Sequence, residues 1–199
     1  MEELRKHGVI LRGDGVVLRP MSEHDWPLLY RWNNRPEVLA LAEQDQVPGY
    51  TIEALQALFR GVSQSAYCFV IKADGREVGE CWLQRMNLDR ILQRVPDADL
   101  RRIDITIGEP ACWGRGIGST AIGLLTGFGF ERERCDAIFA ITSTSNERSI
   151  RAFARCGFRP CPETGGGDPG SHDLVLRRQE FESDRWPQGR RAPGACGTI

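Results

Sequence analysis

The chain is poor in the residues that build metal and disulfide sites. Its three histidines, His7, His24 and His172, are scattered, and its seven cysteines are odd in number with no C-x-x-C pair. That spacing supports neither a zinc-ligand set nor a disulfide framework. Cys68, Cys81 and Cys135 sit among apolar neighbours and read as small buried hydrophobes. No apolar run reaches bilayer length, and Met1-Glu2-Glu3-Leu4-Arg5-Lys6-His7 lacks the apolar centre of a secretory signal. The expected location is the cytoplasm. Neither sign of charge dominates: the net charge is −1 over 199 residues. Nothing in it favours nucleic acid or an anionic membrane as partner. No internal repeat is present, and tyrosine is scarce, with only Tyr30, Tyr50 and Tyr67.

Glycine, by contrast, is concentrated where it matters. Trp113-Gly114-Arg115-Gly116-Ile117-Gly118-Ser119 follows a strand-like run, Leu100–Ile107, and precedes a helix-like run from about Ser119 to Arg132. Alternate glycines let the backbone approach a ligand without Cβ interference. A helix starting just after them aims its free N–H groups and positive dipole end at the same point. The arrangement is a phosphate cradle.

The rest of the chain fits one domain over residues 14–184, with a loosely held lead-in at 1–13 and a Gly/Pro/Arg-rich flexible tail at 185–199. Val16–Arg19 reads as a first strand stopped by Pro20. Ser22 and Asp25 form a capping pattern before Trp26, Leu29 and Trp32. Pro36 starts a short segment to Leu41, and Thr51 caps a third helix carrying Leu55, Leu58 and Phe59. Tyr67–Ile71, the turn signal Asp74-Gly75 and Val78–Leu83 form a hairpin. After the cradle come a strand at Ala137–Ile141, a helix capped by Asn146 and stopped at Gly157, and strands at Phe158 and Asp173–Leu176. This order makes a mixed α/β sheet, unlike the repeating βαβ of a dinucleotide fold.

Three readings of the glycine loop compete: a nucleotide P-loop, a dinucleotide fingerprint and a plain turn. A P-loop ends in Lys followed by Ser or Thr, whereas this one ends Gly-Ser. A dinucleotide fingerprint sits after the first strand, and this loop is late. The text from Ile103 to Phe158 resembles the acetyl-CoA-binding core of the GNAT N-acetyltransferase superfamily. The family pattern Gln/Arg-x-x-Gly-x-Gly/Ala falls on Trp113 to Gly118, with Trp113 in the first position. The second family pattern falls on Thr144, Asn146, Ser149, Ile150, Phe153, Gly157 and Phe158. The resemblance implies the GNAT acyl-CoA N-acyltransferase fold, an α/β (α+β) fold with a mixed, mostly antiparallel sheet flanked by helices. It implies acetyl-CoA as acetyl donor, held by Ile105, Thr106, Ile107, Trp113, Gly114, Arg115, Gly116, Ile117, Gly118, Ser119, Asn146, Ser149 and Phe153.

Over roughly residues 16–182 the chain looks most like the aminoglycoside 6′-N-acetyltransferases, through Leu18–Asp25, Leu29–Arg35, Asp97–Gly118 and Arg178–Glu182. That resemblance lays substrate-site aspartates on Asp89, Asp104 and Asp168. A cationic aminoglycoside needs unpaired carboxylates, and Asp89, Asp97, Asp99, Asp104 and Glu109 fall in one stretch. Asp104 lies between Ile103 and Ile105, so it faces the opposite side of its strand. It is the expected catalytic base, or the group that orients the ammonium. A backbone N–H around Ile105 to Ile107 is expected to meet the oxyanion.

Two departures mark the acceptor half. Where the family often places a tyrosine acid, this chain has Phe153, and the paired tryptophans of several relatives are missing near Ala40-Leu41. The expected activity is acetyl transfer to an aminoglycoside amine, at the 6′ position or the 2′ position of kasugamycin-like drugs, conferring resistance. The alternatives are another amine, in a siderophore precursor or a protein N-terminus, and a non-catalytic acyl-CoA-binding module. A monomer or homodimer is expected.

Overall fold

The turn at Asp74-Gly75 sets up the centre of the sheet. Both residues take positive φ, 51° and 77°, which suits the twist of a tight hairpin. They join β3 (Ala66–Ala73) to β4 (Arg76–Arg85), paired antiparallel from Ala66↔Gln84 to Ala73↔Arg76. The computed structural model describes residues 3–42, 49–164 and 170–183.

A second hairpin precedes it. Asp14 and Gly15, with φ of 42° and 74°, join β1 (Leu11–Gly13) to β2 (Val16–Pro20). The lead-in expected to be loose is therefore structured from residue 3 to 13. Leu4 is buried, the Arg5 backbone N–H donates to Ser63 Oγ at 2.9 Å, and the His7 ring packs at 4.8 Å from Phe69. These are long-range contacts, so no local pattern announces them.

Beyond β4 come β5 (Leu100–Ile107), β6 (Ala137–Ser143), β7 (Arg159–Pro160) and β8 (Ser171–Arg177). Among the described residues the eight strands lie in the order β1-β2-β3-β4-β5-β6-β8-β7, antiparallel except for β5 and β6. The helices are α1 (Trp26–Asn33), α2 (Pro36–Ala42), α3 (Ile52–Ser63), α4 (Asp89–Leu92), α5 (Ile117–Gly127), α6 (Glu147–Arg155) and α7 (Arg178–Glu182). The helix α5 starts two residues earlier than its sequence pattern and runs on as a π-helical turn, Phe128–Arg132. Its early start follows from Gly116, which caps it with φ of 83°.

Strand alternation sorts the core into two faces. Cys81, Leu83, Ile103, Ile122, Leu125 and Phe153 pack on one side of the sheet, under α5 and α6. Leu29, Trp32, Leu55, Phe59 and Val70 pack on the other, under α1 and α3. Complete burial of Leu29 is worth about 1.5–3 kcal/mol. The helix α3 starts where Thr51 Oγ1 accepts the Ala54 N–H at 3.2 Å. The putting together of Ser22 and Asp25 is a backbone contact as well: Asp25 accepts the Ser22 N–H at 2.8 Å and pairs with Arg19 at 2.7 Å.

Candidate active site

Among the described residues one strand pairing is parallel, and it is short for the length of its strands. The β5–β6 ladder runs from Leu100↔Ala137 to Arg102↔Phe139 and stops. Strand β5 continues to Ile107 held only by β4, while β6 continues to Ser143 held by β8. The two strands therefore part, and the free edge of β5 faces a cleft of about 420 Å³. Ile105, Thr106 and Ile107 line it from the strand, and Asn146 and Ser149 from the start of α6.

Trp113, Gly114, Gly116, Ile117, Gly118 and Ser119 close one end of this cleft. Gly114 and Gly116 have φ of 76° and 83°, and a Cβ at either would meet nothing within 4 Å. The glycines are thus required by backbone conformation, and the space beside them is open to a ligand. Trp113 Nε1 donates to the Ile107 carbonyl at 2.7 Å, tying the loop to the end of β5. Asn146 Oδ1 accepts the Ser149 N–H at 3.1 Å, and its Nδ2 donates to the Leu41 carbonyl at 3.1 Å. One side chain thus caps α6 and tethers α2 over the cleft. The open cradle, the α5 N-terminus and the free β5 edge fit a coenzyme A chain with its pyrophosphate.

Two residues expected at the cofactor are elsewhere. Arg115 points away, pairing with Asp74 at 2.8 Å on the β3–β4 turn. Phe153 is 2% exposed and packs at 5.1 Å from Phe158 in the core. An apolar ring on the inner stripe of α6 gains more from that core than from a solvent cleft.

Asp104 stands opposite Trp82 in the β4–β5 register, and Thr106 opposite Glu80. These four side chains share the face away from α5. Asp104 keeps 29% exposure and accepts from Arg102 Nε at 2.7 Å. Burial raises its carboxyl above the ordinary range, and the Arg102 charge only partly opposes this.

The other acids divide. Glu109 is spoken for: the Trp32 indole donates to it at 2.8 Å, and Arg31 and Arg35 lie at 2.5 and 3.0 Å. Burial pushes Glu109 up, but Trp32 and the two arginines outweigh it and hold it below the usual carboxylate range. Asp99 pairs with Arg101 at 2.8 Å. Asp89, at the first turn of α4, and Asp97 are exposed, and neither lines the cleft. Asp168 lies outside the described residues.

Residues 16–159 match the family model described as "Acetyltransferase (GNAT) domain". The chain belongs to the GNAT acetyltransferase family. Among curated relatives, it is 24% identical over 187 residues to aminoglycoside N(6′)-acetyltransferase type 1 of Klebsiella pneumoniae, covering 92% of this chain and 93% of the relative. It is 26% identical over 156 residues to alpha/beta-tubulin-N-acetyltransferase 9 of Homo sapiens, covering 75% and 74%. Among solved structures, aminoglycoside acetyltransferase AAC(6′)-Ib with coenzyme A superposes with a TM-score of 0.70 at 24% identity, over 85% of this chain and 99% of that one. The mixed, mostly antiparallel GNAT sheet is the fold expected from the sequence.

The chain is accordingly an N-acetyltransferase that uses acetyl-CoA as donor. When bound, acetyl-CoA supplies the thioester that an amine attacks. In this GNAT chain the cleft is also lined by Arg148, Arg151 and Arg155, which the sequence reading passed over. Their spacing along α6 puts three guanidinium groups on adjoining positions of one helix face, a readable signal for a phosphate-bearing ligand. Arg148 lies 4.6 Å from the centre of the Trp113 ring. The tryptophan in the first motif position thus has a cation stacked on it.

No helix among the described residues is long and apolar enough to cross a membrane.

Proposed function

We propose that the chain acetylates a primary amine of an aminoglycoside, at the 6′ position or the 2′ position, and so confers resistance to the drug. One observation carries the reading: Asp104, paired with Arg102 and still partly exposed, sits on β5 on the face away from α5, one residue before the free edge at Ile105–Ile107 that lines the cleft. A carboxylate there takes a proton from an arriving ammonium, directly or through water, and holds the amine toward the cleft. Its raised pKa brings it closer to the strength a base needs near neutral pH. A backbone N–H in Ile105–Ile107, free of any strand on that side, meets the oxygen as charge develops on it. The name of the Klebsiella relative supports the acceptor class. The resemblance alone supports Asp89, which is exposed outside the cleft, and Asp168 as further acceptor carboxylates.

The tubulin relative supports a second reading, acetylation of a protein amine. Thiol release from acetyl-CoA, measured over an aminoglycoside panel and over peptides with free N-termini, separates the two. Turnover with aminoglycosides supports the proposal, and turnover confined to peptides replaces it.

A further inference from the structure

Among the described residues three carboxylates are almost fully buried: Asp25, Glu80 and Asp173. Two are compensated. Asp25 is paired with Arg19, and Asp173 with Arg90 and Thr164. Glu80 is 1% exposed, has no cation beside it, and its Oε2 has no hydrogen-bond partner. A carboxylate so placed is costly unless it carries a proton or serves a purpose.

Its position suggests the purpose. Glu80 lies opposite Thr106 and diagonal to Asp104, on the same face of the sheet. Diagonal neighbours in an antiparallel pair lie about 7–8 Å apart. Thr106 faces Glu80 across the β4–β5 pairing and also lines the cofactor cleft. One residue therefore stands between a sealed carboxyl and the cofactor cleft. The aromatic ring at the second motif, Phe153, has no proton to give, and the Tyr67 hydroxyl is committed to Glu133 at 3.0 Å.

Resting on the reading of this cleft as the acetyl-transfer site, we propose that Glu80 is the proton reserve for the leaving thiolate, acting through the Thr106 hydroxyl. Breaking the C–S bond leaves its electron pair on sulfur. The sulfur takes the Thr106 hydroxyl proton as Thr106 takes the Glu80 carboxyl proton, leaving Glu80 ionised. Both ammonium protons leave to solvent, the first by way of Asp104, and Glu80 takes one proton back from solvent through Thr106, so one proton is released per amide formed.

The acid strengths match. Burial pushes Glu80 up to about 8, opposed by the Thr106 hydroxyl and aided by the Asp104 charge. A free thiol titrates near ~8.5, so the transfer is nearly level. The surrounding charged groups do not cancel this. On β3, Cys68 is itself pushed up to about 12, by burial first and then by Glu80. On β5, Arg102 is bound to Asp104, Gln84 and Asn87. On β2, Arg19 is held by Asp25 and Glu77. From the covering helices, Arg31 is held by Glu109 and Arg60 by Glu23.

The test compares the whole chain with Glu80→Gln and Thr106→Val. The wild type is expected to lose kcat through an alkaline limb near pH 8 as Glu80 ionises. Glu80→Gln lowers kcat about 10²-fold, abolishes that limb and leaves KM for acetyl-CoA unchanged. Thr106→Val changes kcat in the same direction and decides the matter if Glu80→Gln fails to fold. The infrared carboxylic-acid band of the free protein gives an acceptor-independent readout. A band present at pH 7, absent in Glu80→Gln and titrating near pH 8 supports the proposal. Absence of that band, an alkaline limb retained in Glu80→Gln, or full kcat in Thr106→Val overturns it. If no aminoglycoside is turned over, the proposed acceptor falls. The carboxyl titration and the hydrolysis of acetyl-CoA without amine then decide Glu80 separately.

Discussion

Replacing Gly116 by alanine separates backbone strain from ligand contact. Gly116 has φ of 83°, and an added Cβ would meet no heavy atom within 4 Å. The folded protein therefore suffers only the left-handed conformation of a residue with a Cβ, about 1–2 kcal/mol. For a domain of this size each kcal/mol lowers Tm by about 2–4 °C, so a loss of about 2–8 °C is expected. The Gly116 carbonyl still accepts the Thr120 N–H at 3.0 Å, so α5 keeps its first bond. Coenzyme A binding is a different matter. If the loop wraps the pyrophosphate, the new methyl group occupies the ligand's space, and affinity falls at least tenfold, about 1.4 kcal/mol. Thermal melting of the apo protein measures the first quantity, and titration calorimetry with coenzyme A measures the second. The expected Tm loss with unchanged affinity would refute the assignment of the cradle.

Asp104→Asn is expected to lower kcat/KM about 10²–10⁴-fold and to remove the acidic limb of its pH profile. That limb should lie above the ordinary aspartate range, because burial raises the Asp104 pKa and only the base form acts; a limb unmoved in the variant counts against Asp104. Phe153→Tyr should not raise turnover, because the ring is in the core beside Phe158; denaturant melts should show a cost of about 1–3 kcal/mol for the stranded hydroxyl. A gain of several orders of magnitude in kcat would contradict that placement. Stability should also depend on Glu80. Its folded pKa of about 8 lies above the ordinary value of 4.5, so the native state binds the extra proton between them. Its contribution is complete below the lower value and is lost as pH rises through the upper one. Glu80→Gln should therefore gain Tm relative to wild type from pH 5 to pH 9, read by calorimetry; a constant offset would contradict the shift.

Local signals carried most of the fold. The Asp74-Gly75 turn, the Thr51 and Asn146 caps and the bounds of β5 are written in adjacent residues. What local signals missed depends on partners far along the chain. Residues 3–13 are held by Ser63, Ala66 and Cys68. Glu109 reads as a free acid until α1 brings Arg31 and Trp32 to it, and the turn after α1 brings Arg35. Glu80 is the sharpest case. In Glu80-Cys81-Trp82-Leu83-Gln84 the alternation marks Glu80 as the outward residue of a half-buried strand. It is nevertheless sealed, because that face is covered by the cluster containing Trp32 and Phe59. The cofactor half was legible because glycine conformations and helix caps are local. The acceptor half was not, because a carboxylate's availability depends on which cations fold against it.

The most direct test of the account is to incubate the chain with acetyl-CoA and a mixed set of aminoglycosides, then determine the mass and acetylation site of every product. The account predicts singly acetylated drug at the 6′ or 2′ amine, with the yield collapsing in Asp104→Asn. Unmodified drugs throughout, from protein that binds coenzyme A and acetylates a peptide amine, would contradict it.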